Sequence, residues 1–162
     1  ESWQDDVLAG METCRSLQIS AALERSRSGN GGHVWLFFTD AVPATMARKL
    51  GSFILTETME RRPELGLASY DRLFPNQDTL PKGGFGNLIA LPLQKQPREQ
   101  GRSVFVDDAL QAFPDQWAYL ASIEPMAPLK LKAATKKTDP PHLTSAAQSA
   151  ASTTDRLSRL ML

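Results

Sequence analysis

The chain has 162 residues, 41% of them hydrophobic and 22% charged, which is the make-up of one ordinary globular domain with room for a core. Lys+Arg and Asp+Glu are both 18, so a uniformly basic coat for nucleic acid is excluded and any such binding has to come from a local patch. The single cysteine, Cys14, excludes an internal disulfide and fits a reducing, cytoplasmic compartment, and no apolar run approaches the roughly 18 residues that would cross a membrane.

The first element reads as a helix, because Trp3, Val7, Met11 and Cys14 recur at helical spacing with Leu8 beside them. Ser2 can cap it, and Asp5 and Asp6 suit the positive end of its dipole. Ile19–Leu23 reads as a short strand, Ser26–Gly32 as a turn, and the run VWLFF over 34–38 as a second strand, giving a hairpin with a glycine-rich tip. A helix is expected from near Pro43, carrying Met46, Leu50, Phe53, Ile54 and Met59 and ending before Pro63. Further strands are expected at Leu67–Phe74, Asn87–Leu93 and Ser103–Val106, around a turn-rich loop over 75–87. Asp107–Ala112 and Asp115–Ser122 read as short helices broken at Pro114.

Every aromatic side chain lies within 1–124. From Pro125 onward the sequence is rich in Ala, Ser, Thr, Lys and Pro and buries too little apolar area to offset its ordering entropy. The expected organisation is therefore a domain over 1–124 and a low-complexity linker or tail over 125–162, with a short helix around Thr154–Leu162. The irregular alternation of elements predicts an α+β fold, a mixed or antiparallel sheet with flanking helices.

Two segments carry chemistry. In Ser26-Arg27-Ser28-Gly29-Asn30-Gly31-Gly32-His33 the glycines let the backbone bend and turn N–H groups toward an anion. A hydroxyl, an imidazole and the cations Arg25 and Arg27 stand nearby, a set that suits a polyphosphate. It is not a Walker A loop, since no GK[ST] follows. A plain hairpin tip with solvated arginines fits the same residues. The second segment runs from Tyr70-Asp71-Arg72 through Asp78 and Lys82 to Leu93. Its acids could hold a divalent cation through oxygen, and Lys82 and Arg72 could meet phosphate. A structural turn with an Asx cap is the alternative.

Together, ERSRSGNGGHVWLFF (24–38) and YDRLFPNQDTLPKGGFGNLIALPLQ (70–94) resemble the archaeo-eukaryotic primase superfamily. The resemblance is closest to the bacterial branch found in large, helicase-linked conflict-system proteins, and it spans roughly residues 2–123. It implies a primase-polymerase-like fold and nucleotidyl transfer to a DNA or RNA primer on a template. It also implies Mg2+ or Mn2+ as cofactor, two metals held by three carboxylates lowering the pKa of the attacking hydroxyl and stabilising phosphoryl charge. By this resemblance Ser28 and His33 grip the nucleoside triphosphate, and Gly29, Gly31 and Gly32 let it approach. Asp71 matches the third acidic position, with Asp78 the second choice as metal ligand, and Asp71 and His33 are the catalytic candidates. Lys82 is a phosphate or template contact, and Asn87 fixes the turn. A helicase domain in a parent protein is a further implied partner.

The family's first motif, two acids one residue apart on a strand, would precede the helix at Trp3 and has no counterpart here. Asp5 and Asp6 are adjacent and would face opposite sides of a strand. The reading therefore expects a fragment with an incomplete two-metal site. A non-catalytic nucleotide or nucleic-acid binding module is the alternative, and a partly folded, truncated frame with an unpaired sheet edge is a third. Trp35, Phe37 and Phe38 could stack bases, though a core role suits them better, and the lysines over 130–137 could touch nucleic acid but read best as a solvated linker.

Overall fold

Helix α1 spans Trp3–Ser16, with Val7, Met11 and Cys14 buried along one side and Asp5 and Asp6 in its first turn. Strand β1 (Ala22–Arg25) and strand β2 (Gly32–Trp35) follow as an antiparallel hairpin in which Leu23 faces Val34 and Glu24 faces His33. Helix α2 is Ala44–Arg61, set after Pro43 as expected. Helix α3 (Lys95–Glu99), strand β3 (Val104–Phe105) and helix α4 (Gln116–Ser122) follow, and a two-residue strand β4 is Leu160–Met161. This computed structural model describes residues 3–64, 70–79, 82–83, 88–128 and 160–161. The sheet order is β3-β1-β2-β4, antiparallel except that β4 lies parallel to β2. The fold is α+β with a small mixed sheet, in agreement with the sequence.

The two-residue period of a strand sorts the side chains onto two faces. Leu23, Val34 and Val104 pack with Val7 and Met11 of α1. On the opposite face Ala22 and Phe105 meet Trp35, Phe37, Phe113, Tyr119 and Leu120, so an aromatic layer anchored by α4 covers the sheet. A third cluster joins Cys14, Ile19, Leu50, Phe53, Ile54 and Met126 between α1 and α2. Each such fully buried Leu, Ile or Phe contributes about 1.5–3 kcal/mol relative to exposure. Met126 pairs with Phe38, its N–H donating to Phe37 O at 2.7 Å, so chain just past residue 124 is built into the core.

Cys14 is fully buried, and desolvation pushes its thiol from 9.0 up to about 12. The folded state then keeps a proton that the unfolded chain releases, so this thiol's contribution is intact below pH 9 and is lost as pH rises toward 12. Urea midpoints should therefore fall between pH 9 and 11 more steeply for the wild type than for Cys14→Ala. Equal slopes would contradict this. The comparison is needed because burial also raises Tyr70 and Tyr119, which add a fall of the same sign.

Several expected elements differ. The first strand is shifted C-terminally from 19–23, because Ile19 is used to close the turn after α1 by donating its N–H to Cys14 O at 2.8 Å. The second strand ends at Trp35, and 36–38 leave the ladder to contact Met126 and α2. The expected helix over 107–112 is a turn: Asp107 Oδ1 accepts from the N–H groups of Ala109 and Gln111, and Leu110 has φ +58°. The expected strand over 87–93 forms no ladder among its described residues, where Pro92 lacks a donor and Leu93 has φ +62°. Residues 70–74 likewise form no strand, and 65–69 lie outside the described residues. Of the expected helix at 154–162, residues 160–161 are strand β4 and 154–159 lie outside the described residues, as do Lys130–Lys137.

Candidate functional site

The hairpin tip is held by backbone bonds, Ser26 N–H to Gly31 O and Gly29 N–H to Ser26 O, both 2.9 Å. Gly29 has φ +81°, a conformation that favours glycine, and the Arg102 side chain lies against it. Ser28 is exposed, its Oγ 3.1 Å from Ser26 Oγ and accepting the Asn30 N–H at 3.2 Å. Gly32 faces α1: a Cβ there would stand 2.9 Å from Val7 Cγ1 and 3.2 Å from Trp3 Cζ3. Its lack of a side chain therefore lets the helix lie on the strand. Arg25 is not a free cation, as the sequence suggested. Its guanidinium donates to Gly101 O at 3.0 Å and Leu110 O at 2.6 Å, tying β1 to two loops, whereas Arg27 is exposed.

One step inward lies a group that the sequence reading missed. Glu24 on β1 is only 1% exposed. Its Oε2 accepts the Trp35 Nε1–H at 2.7 Å and stands 3.0 Å from His33 Nδ1, while Oε1 accepts the Ser103 hydroxyl at 2.9 Å. The strand period creates this set: Glu24, His33 and Trp35 share one face, and the 93–104 segment folds over them with Ser103 and Leu93 buried. Trp35 stacks on Phe37 at 6.2 Å between centroids and presents an edge to His33 at 6.4 Å. Trp35, half-buried, is thus held in place by Glu24 and Phe37. The available signal was a glutamate on a short strand, paired across a hairpin with a histidine.

A cavity of about 330 Å³ lies beside β2. His33 and Trp35 form one wall, Phe38 and Val42 continue it, and Leu73, Phe74 and Pro75 close it from the second segment. Leu73 reaches it by resting on α2 at Gly51, where no side chain intervenes. The two sequence segments therefore meet at one place. Ser28, Asp71, Asp78 and Lys82 are not among the residues that line it. Asp71, mostly buried, pairs with its neighbour Arg72 at 3.5 Å, and the exposed Asp78 pairs with Arg48 at 3.3 Å. Lys82 sits in an exposed turn, and Asn87 lies outside the described residues.

Asp71 and Asp78 are each ion-paired with an arginine. Among the described residues no group of three His, Cys, Asp or Glu converges. No helix among the described residues is long and apolar enough to cross a membrane.

A polar hairpin thus precedes a part-buried His–Glu pair on a small α+β sheet backed by two helices. Residues 1–134 match the family model for the archaeo-eukaryotic primase domain of the TOTE conflict system. The chain belongs to that family. No curated protein matches it.

Proposed function

We propose that this chain is a nucleotidyltransferase-type primase/polymerase domain whose described residues supply the triphosphate-holding part of the site. The observation that carries the reading is the shared cavity, where His33 from the glycine-rich segment faces Leu73–Pro75 from the second. Its apolar walls suit a base and sugar, and His33 at its polar end suits a phosphate. Ser28 and the backbone at Gly29, Gly31 and Gly32 would extend phosphate contacts along the hairpin, with Lys82 as an exposed cation from the second segment. In transfer, a primer 3′-hydroxyl attacks the α-phosphorus, the bond to the β-phosphate oxygen breaks, and pyrophosphate leaves. The residues present would hold and orient the triphosphate for that attack. Asp71 is the carboxylate this reading assigns to catalysis and metal, with Asp78 second, and Mg2+ or Mn2+ would be completed by acids beyond this set. A DNA or RNA template, a helicase domain in the parent protein, a cytoplasmic setting and a functional unit close to 1–124 belong to the same proposal.

Titration of the full chain with dATP and Mg2+ tests it. Binding is expected, and His33→Ala should weaken it at least about tenfold, the ~1.5 kcal/mol of a charge-assisted hydrogen bond. Unchanged affinity in that variant would remove the basis of the reading. Primer extension then separates catalysis from the second reading, a binding module without turnover, which the lack of a converging acidic group among the described residues favours.

A further inference from the structure

We propose that Glu24 is the positioning residue for His33: it holds the proton on Nδ1 and so presents Nε2 as the ring atom that meets the ligand. This rests on the triphosphate reading above, but its first test does not depend on it.

The argument begins with burial. A carboxylate only 1% exposed persists in the interior when donors surround it. Glu24 has three candidate donors on its two oxygens. Two of the roles are fixed by chemistry. An indole Nε1–H can only donate, so Oε2 accepts from Trp35. Ser103 Oγ already faces the Gln94 N–H at 3.4 Å, so its own proton is free to point at Glu24 Oε1. With both oxygens accepting, the ionised carboxylate accommodates all three partners, and His33 Nδ1 is then the donor. The surroundings are built for this. Ser103 is 1% exposed with φ +52°, a conformation L residues rarely adopt, and its backbone is tied to Ser26 O and to the Leu93 N–H. Trp35 sets its edge against the imidazole while donating to the same oxygen. The ring is thus fixed in plane and in tautomer, and His33 lines the cavity.

The test uses the full 15N-labelled chain, with His142→Gln distinguishing the two histidines. Long-range 1H–15N spectra should show His33 protonated at Nδ1 in the wild type. Glu24→Gln keeps the size but removes the negative charge that holds the proton on Nδ1, so the Nε2-protonated form should gain population. The substitution should also weaken dATP binding about tenfold with circular dichroism unchanged. Wild-type His33 carrying its proton on Nε2 would overturn the proposal, as would a folded Glu24→Gln with unaltered tautomer and affinity. If the wild type binds no dATP, the functional reading fails while the tautomer still decides the role of Glu24. If Glu24→Gln does not fold, the wild-type spectrum alone decides it.

Discussion

Glu24→Ala is expected to cost about 3–5 kcal/mol of folding stability, the range for removing one partner from a buried charged network. The substitution leaves the Trp35 Nε1–H, the Ser103 hydroxyl and the His33 ring without their acceptor in a largely buried site. Each unsatisfied donor carries a penalty of about 1–3 kcal/mol, partly relieved where a water enters the space left by the side chain. Glu24→Gln retains an amide oxygen of nearly the same position and should lose distinctly less. Urea unfolding of the three proteins at pH 7 is the measurement. A loss below about 1 kcal/mol in Glu24→Ala would mean that the cluster relaxes around the gap, and that burial overstates its importance.

The second large effect belongs to Phe105→Ala, at about 3–5 kcal/mol, because a fully buried aromatic leaves a cavity that its neighbours fill only in part. Phe105 pairs across the sheet with Glu24 and lies 5.4 Å from the Tyr119 ring, which in turn stacks on Phe113 at 3.8 Å. Its backbone is also gripped from above: the Gln116 side chain accepts from Phe105 N at 2.6 Å and donates to Phe105 O at 2.9 Å. Truncation should therefore loosen the aromatic layer as a unit and quench the near-ultraviolet signal of Tyr119. A variant that keeps that signal and loses under about 1.5 kcal/mol would show that the layer stands without its centre.

The two long helices were the most legible part of this sequence. The spacing of Val7, Met11 and Cys14 placed α1, and Pro43 and Pro63 bracketed α2, because a helix face and a proline are both local signals. Asp115 was legible for the same reason, and its carboxylate caps α4 by accepting from Trp117 and Ala118 N–H. The hairpin was found, but its ends were misplaced by two or three residues, since the ladder is fixed by partners that a single strand does not reveal. The run over 107–112 has the composition of a helix start. Asp107 turned its carboxylate on the following backbone instead, a competition that short polar side chains win near turns. Within the site, His33 was legible from its glycine-rich context. Glu24 was not, because its importance comes from Ser103, which is distant in sequence.

That separation has a kinetic consequence. Glu24 and Ser103 are 79 residues apart, while Glu24 and His33 are 9 apart. The β1–β2 ribbon can zip from its own tip, whereas β3 must be delivered across a long excursion that slows its arrival. During assembly the carboxylate thus stays hydrated until β3 docks on β1, and dehydration of the acid coincides with that step. Pulse-labelled amide exchange should show protection at Val34 preceding protection at Val106, and simultaneous protection would argue against this order.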